Sequence, residues 1–137
     1  HLVRALHDEG QKQVFVNVIA DVSWLSTVAF WVVCEHRNWA HPYDSEGRRR
    51  SIELMPKRIE KLEDDPYRSL AGELRRLGGF AKDVTPYSEF LWADFLRRRI
   101  GRKLVDADFE KALKKALKLA KGQEASYLAG WCGPVKD

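Results

Sequence analysis

The stretch "DDPYRSLAGELRRLGG", Asp64 to Gly79, carries the clearest helix signals in this sequence. Asp65 suits the N-cap, Pro66 suits the first helical position, and the glycine pair that follows Leu77 ends the helix. The apolar residues between these signals fall on one stripe: Tyr67, Leu70, Ala71, Leu74 and Leu77. The stretch therefore predicts an amphipathic helix with one buried face.

Similar signals recur along the rest of the chain. Thr85 followed by Pro86 predicts a second helix from Pro86 to about Ile100. A third is predicted from about Asp106 to Lys121, because its apolar residues share one face: Phe109, Leu113, Ala116, Leu117 and Ala120. Pro56 can open a short helix through Leu62.

Two segments nearer the N-terminus are rich in valine. The run "STVAFWVVCEH", residues 26–36, predicts a buried helix, although its valines are also compatible with a strand. The run "VFVNVIA", residues 14–20, is β-branched and predicts a strand. The predicted fold class is therefore mainly α with a small β remnant (α+β).

Composition limits the class of protein. A chain of 137 residues, 45% hydrophobic and 32% charged, is expected to form one soluble globular domain. No apolar run reaches the ~20 residues that cross a bilayer, so we expect no membrane-spanning segment and no membrane partner. Cys34 and Cys132 are far apart and predict free thiols in a reducing compartment, so we expect a cytoplasmic protein. The net charge of +4 permits a polyanionic partner.

The chain begins inside a helical pattern, at His1, without a leader. We interpret the sequence as a fragment of a longer chain. A lone strand cannot satisfy its own backbone hydrogen bonds, so the strand at 14–20 is expected to pair with polypeptide outside this sequence.

The second predicted helix contains "EFLWADFLRRR", residues 89–99, in which two acids lie among aromatic residues. Buried carboxylates need cationic partners, so Glu89 and Asp94 either hold arginines or take part in chemistry. We favour a supporting role for this helix, with Glu89, Trp92, Asp94 and Arg97 as the supporting residues. Asp94 can reach Arg97 or Arg98 along its own helix.

A long loop, "HPYDSEGRRRS", places three arginines near aromatic residues. Arginines beside an aromatic ring can bind phosphates through bidentate hydrogen bonds and stacking, whereas the alternative is a solvated charged loop. The candidate phosphate-binding residues are Arg4, Arg48, Arg49, Arg50 and Arg68. Asp44 of this loop is a candidate catalytic residue.

A lysine stripe on the third helix could contact nucleic acid or be a solvated face: Lys111, Lys114, Lys115 and Lys118.

In chain order, these motifs resemble the ParB-like nuclease family of the ParB and sulfiredoxin superfamily. The matching stretches are "HLVRAL", "NWAHPYDSEGRRR", "DDPYRSLAGELRRLGGF", "SEFLWADFLRR" and "YLAGWCGP". The resemblance implies that residues 1–22 end an α/β core and that residues 23–137 are a helical extension. His1 would correspond to the last histidine of an Asp-His-His-His motif, which makes it a candidate catalytic residue, with Arg4 beside it.

The resemblance implies a nuclease that acts on a nucleotide or nucleic-acid phosphate. The alternative is a non-catalytic nucleotide- or DNA-binding module. The four histidines show no metal-site spacing. The cofactor is not identified, and a divalent metal ion and a nucleotide are the two alternatives. The sequence does not identify the metal, the substrate or the oligomeric state.

Overall fold

The computed structural model describes residues 2–134, and the chain separates into two compact units, 1–64 and 65–137. Helices are the main regular elements of both units. The N-terminal unit contains α1 (Leu2–Asp8), α2 (Thr27–His36) and two 3-10 turns, Ile52–Leu54 and Ile59–Lys61. The C-terminal unit contains α3 (Pro66–Arg76), α4 (Ser88–Arg97), α5 (Arg102–Ala107), α6 (Phe109–Ala120) and the 3-10 turn Gln123–Ala125. The predicted division after residue 22 stays a prediction.

Helix α3 confirms the expectation from its sequence. The Asp65 side chain caps it by accepting a hydrogen bond from the Tyr67 backbone N–H at 3.1 Å, and Gly78 follows it with a φ of 77°. That φ lies in the left-handed region, which glycine adopts without a steric penalty. The predicted stripe is buried from Tyr67 to Leu74, whereas Leu77, which follows the last helical turn, is half-exposed.

Helix α4 begins two residues later than predicted. Tyr87 has a φ of 60°, so the chain turns in the left-handed region before Ser88 and the Thr85–Pro86 pair does not cap the helix. The helix ends at Arg97, short of the predicted Ile100. Four of its residues are buried and form the centre of the core with α3: Trp92, Ala93, Phe95 and Leu96.

The third predicted helix corresponds to α6, and the short helix α5 that precedes it was not predicted. Asp108 ends α5 and caps α6, where its carboxylate accepts a hydrogen bond from the Lys111 backbone N–H at 2.9 Å. Helix α6 buries one alanine per turn, and its larger apolar residues pack at the edge of the same core. The buried alanines are Ala112, Ala116 and Ala120. Small side chains at these positions let α6 lie close to its neighbours.

The N-terminal unit has little core of its own. Ser26 caps α2 by accepting a hydrogen bond from the Ala29 backbone N–H at 3.2 Å, so the helical alternative is confirmed. The expected burial of this helix is wrong at Val28 and Val32, which are exposed. Among the described residues of this unit, only Cys34 and Ile52 are buried.

The predicted strand at 14–20 is not formed. Residues 11–22 have no regular secondary structure, and β pairing in the described chain consists of one isolated bridge, between Tyr43 and Arg49. The physical reason is that a strand requires a hydrogen-bonding partner, and the described residues provide none for this segment. The α+β part of the predicted fold class is therefore not observed.

Two other expectations have simple outcomes. Cys34 and Cys132 are both free thiols, as predicted. Across residues 2–134, no helix is both long and apolar enough to span a membrane.

Candidate functional site

The arginine-rich loop folds into a small hairpin over residues 42–50. The Asp44 N–H donates to the Arg48 carbonyl at 2.9 Å, and the Arg50 N–H donates to the Pro42 carbonyl at 2.8 Å. Gly47 has a φ of 74°, which allows the tight turn between the two arms. The hairpin therefore places the side chains of the predicted loop site in defined positions.

Asp44 organises one face of this hairpin. Its carboxylate accepts hydrogen bonds from the backbone N–H groups of Glu46 at 3.0 Å and Arg48 at 2.9 Å. It also pairs with the guanidinium Nε atoms of Arg48 at 3.2 Å and Arg50 at 2.8 Å. Desolvation raises the pKa of Asp44, but these donors outweigh it and hold the pKa well below its usual range. Both oxygens are thus occupied by donors, while the predicted catalytic role of Asp44 stays a prediction.

The other face of the hairpin carries Arg49. Side chains alternate between the two faces of a hairpin, and residues paired across it share a face. Arg49 therefore lies on the face of its bridge partner Tyr43, opposite Arg48 and Arg50. The Tyr43 ring stacks on the His41 ring, with centroids 4.2 Å apart and planes 20° apart. Arg49 is exposed and forms no ion pair with the described residues.

We call His41, Tyr43 and Arg49 the hairpin face. It combines a stacked pair of flat rings with a guanidinium that can form bidentate hydrogen bonds. Such a combination is suited to a base or sugar lying on the rings and a phosphate at the arginine.

Arg4 has other contacts. Its Nε pairs with Asp8 at 2.8 Å, and its Nη1 donates to the backbone carbonyls of Glu60 at 2.6 Å and Leu62 at 2.9 Å. These bonds join α1 to the second 3-10 turn. Arg4 therefore has a structural role here, and its predicted phosphate-binding role stays a prediction. His1 lies outside the described residues.

Arg68 lies in the first turn of α3, in the C-terminal unit. Its guanidinium stacks on the Phe90 ring, 3.2 Å from the ring centroid, and its buried Nε has no hydrogen-bond partner among the described residues. Burial lowers the pKa of Arg68, although the nearby carboxylates of Asp65 and Glu89 oppose the shift. No neighbour lies within 4 Å of where a Cβ on Gly72, one turn later, would be. Tight helix packing therefore does not explain this glycine.

The acids of α4 are paired at the edge of the α3–α4 interface. Glu89 forms an ion pair with Arg75 of α3. Asp94 pairs within its own helix, with Arg98 at 2.9 Å and Arg97 at 3.5 Å, as its spacing predicted. Both carboxylates are only partly buried, unlike the deep burial that their aromatic neighbours suggested.

The buried acid of this region is Asp65. The Arg97 guanidinium lies 2.5 Å from its carboxylate, and Asp65 is 8% exposed. Burial raises the pKa of Asp65, while the Arg97 guanidinium and the Tyr67 backbone N–H oppose that rise. The sequence identified Asp65 only as a helix cap. Its second role was not visible because Asp65 and Arg97 are 32 positions apart.

Trp92 belongs to the core of the C-terminal unit. It is fully buried, stacks on Phe80 with ring centroids 4.4 Å apart, and donates its indole N–H to the Ala129 carbonyl at 2.9 Å. Its predicted supporting role stays a prediction, since the contacts show only that it joins α4 to the C-terminal segment.

The lysine stripe of α6 is exposed at all four positions, and Lys114 pairs with Glu110 at 2.8 Å. The described residues contain no group of three or more histidine, cysteine or acidic side chains that could hold a metal ion.

Comparison with known proteins shows the family. The family described as "Putative ParB-like nuclease" matches residues 1–98, so this chain belongs to that family. Among solved structures, the crystal structure of protein Atu1540 from Agrobacterium tumefaciens is similar over 94% of this chain, with 53% sequence identity and a TM-score of 0.86. The chain spans 66% of the length of that protein. No curated protein gives a significant match.

Proposed function

We propose that this protein binds a nucleotide or nucleic-acid phosphate and that the hairpin face is the contact surface. The observation that carries the proposal is that the three arginines lie on opposite faces of the hairpin and have different contacts. Asp44 holds Arg48 and Arg50 on one side of the hairpin. Arg49 stands on the other side, beside the stacked rings of His41 and Tyr43.

The chemistry of this face favours a phosphate attached to a base. A guanidinium binds a phosphate through charge-assisted hydrogen bonds, and an aromatic ring stacks on any base. The ring stack and the hydrogen bonds of the hairpin favour this interpretation over the alternative of a solvated charged loop. The net charge of +4 favours the approach of a polyanion.

The binding test uses a fluorescently labelled single-stranded oligonucleotide and anisotropy at several salt concentrations. Arg49→Gln is expected to weaken binding about 10- to 150-fold, because one charge-assisted hydrogen bond contributes about 1.5–3 kcal/mol. It should also lower the salt slope by about 1, since one phosphate contact is lost. Tyr43→Ala should weaken binding, whereas Tyr43→Phe should bind normally because it keeps the ring.

Arg37→Gln is the matched control. Arg37 is an exposed arginine of the same unit and lies outside the hairpin. Its replacement by glutamine therefore removes the same charge without changing the proposed surface. Equal losses for Arg49→Gln and Arg37→Gln would mean that only net charge matters, and the proposed surface would be wrong.

A second candidate function is hydrolysis of the bound phosphodiester. The family match favours it, because the match over residues 1–98 includes the hairpin. In this scheme His1 is the candidate catalytic residue, while phosphate binding by Arg68 stays a separate prediction for the C-terminal unit, in which its buried Nε has no hydrogen-bond partner among the described residues. Turnover of nucleic acid with Mg²⁺ or Mn²⁺ by the full-length polypeptide that contains this sequence would separate a nuclease from a binding module.

A further inference from the structure

The ring stack of the hairpin face has an exposed member. His41 lies on Tyr43 with ring centroids 4.2 Å apart and planes 20° apart, so it covers one face of the tyrosine ring. Tyr43 is nevertheless 46% exposed. The exposed surface of the tyrosine ring therefore lies away from His41, where a flat ligand can extend the stack.

The hairpin holds this ring stack in a fixed position. The bridge between Tyr43 and Arg49 keeps the ring and the guanidinium on one face. Asp44 pairs with the other two arginines on the opposite face. Ser45, at the turn, donates its hydroxyl to the Glu63 carboxylate, which joins the turn to the segment that follows the second 3-10 turn. A surface that is fixed before a ligand arrives loses little conformational freedom on binding.

A base can lie on this ring stack only when it has left a duplex. Paired bases are stacked on their neighbours and present only their edges in the grooves. A base in a single strand can turn its face to an aromatic side chain, and such stacking tolerates any sequence because every base has a π face. Phosphate contacts alone carry no information about the bases. The ring stack therefore distinguishes single strands from duplexes.

The charges of the hairpin limit how many phosphates the face can bind. Asp44 holds Arg48 and Arg50, whereas Arg49 forms no ion pair within the described part of the chain. One guanidinium binds one phosphate, through two parallel hydrogen bonds. The face thus has the chemistry for one nucleotide, with one base on Tyr43 and one phosphate at Arg49.

We propose that the hairpin face binds one unpaired nucleotide, with its base on Tyr43 and its phosphate at Arg49, and thereby selects single-stranded over double-stranded nucleic acid. This selectivity rests on the proposed function, since it requires that the face contacts a nucleotide or nucleic-acid phosphate. The phosphate contact weakens as salt rises, whereas the base contact does not.

The test measures anisotropy with the full-length polypeptide that contains this sequence and three ligands built on one labelled strand. The ligands are the single strand, its duplex with the complement, and a strand with abasic residues. The single strand is expected to bind about 5- to 150-fold more tightly than the abasic strand, the range for stacking of one base. It should also bind more tightly than the duplex, by a ratio that grows with salt. Equal affinity for the strand and either other ligand would overturn the proposal.

Variants separate the base contact from the phosphate contact. Tyr43→Leu keeps an apolar side chain but removes the ring, so it should abolish the preference over the abasic strand and leave the salt slope unchanged. NMR amide shifts of residues 42–50 check that the hairpin stays folded. Tyr127→Ala is the matched control, since Tyr127 is an exposed tyrosine of the other unit, and it should keep the preference. A folded Tyr43→Leu protein with the full preference would overturn the proposal.

Arg49→Gln distinguishes this proposal from the proposed function. It should weaken binding of all three ligands and keep the preference for the single strand. If it weakens all three while strand and duplex bind equally well, the proposed function stands and the selectivity is wrong. If it weakens none, the proposed function itself is wrong.

Competition identifies the source of the nucleotide. A nucleoside monophosphate is expected to displace the labelled strand, whereas deoxyribose 5-phosphate, which lacks the base, is not. Tighter binding of the strand than of the monophosphate would identify nucleic acid as the source, and equal affinity would identify a free nucleotide. Both outcomes support a site for one unpaired nucleotide. Equal displacement by the monophosphate and by deoxyribose 5-phosphate would overturn it.

Discussion

The Asp65 carboxylate, which caps α3, also receives the guanidinium of Arg97 from the end of α4, 2.5 Å away. One side chain thereby fixes the start of one helix and the end of the next. The pair lies beside Tyr67, whose hydroxyl donates to the Ile100 carbonyl at 2.6 Å. These contacts hold α3 and α4 together at one end of their interface.

Asp65→Asn keeps the capping oxygen but removes the charge that faces Arg97. We expect a loss of about 2–3 kcal/mol in the free energy of unfolding, slightly below the ~3–5 kcal/mol for a fully buried pair, because Arg97 keeps Asp94 nearby. Urea denaturation measures the loss. Asp106→Asn is the control, since its pair with Arg102 is half-exposed and should contribute only ~0–1 kcal/mol. Equal losses would show that the Asp65 pair contributes no more than a surface pair.

Glu89→Gln and Asp94→Asn should each lower the free energy of unfolding only slightly. Their ion pairs are partly exposed, and Arg98 in particular is 72% exposed, so we expect ~0–1 kcal/mol for each. Thermal unfolding measures both. If either variant keeps its melting temperature while a nucleic-acid activity disappears, that carboxylate takes part in the chemistry and its supporting role is wrong.

The hairpin should be insensitive to mild acid. The pKa of Asp44 is lowered by folding, so its contribution to stability is fully present above the ordinary value of 3.8 and is lost as pH falls below that value. Asp44→Asn should therefore disorder residues 42–50 at neutral pH, which NMR amide shifts would report. A hairpin that loosens already at pH 5–6 would contradict this assignment.

We expect the 137-residue chain alone not to hydrolyse phosphodiesters, because one candidate histidine at its first position cannot supply a complete catalytic site. The measurement is release of product from labelled DNA with Mg²⁺ or Mn²⁺ present. Robust hydrolysis that is lost in His41→Ala, with the hairpin still folded, or in Asp44→Ala would place the chemistry in the loop instead.

Local signals in the sequence predicted the helices well but not the contacts between them. The cap and the apolar stripe of α3 are properties of adjacent residues, so they could be identified directly. The left-handed turn at Tyr87 could not, because tyrosine rarely adopts that conformation. The Asp65–Arg97 pair and the Glu89–Arg75 pair join separate helices, and no local pattern reveals them. The strand at 14–20 has the correct composition, yet pairing depends on a partner that these residues do not contain.

The central claim, that the hairpin face binds a nucleotide or nucleic-acid phosphate, is tested most directly by an NMR titration. A short single-stranded oligonucleotide is added to the ¹⁵N-labelled protein, and chemical-shift changes are followed at the Arg49 side chain and at the amides of the hairpin. We expect the largest changes at His41, Tyr43 and Arg49, and small changes at Arg48 and Arg50, whose guanidinium groups face Asp44. Changes confined to the lysine stripe of α6, with the hairpin unaffected, would contradict the claim.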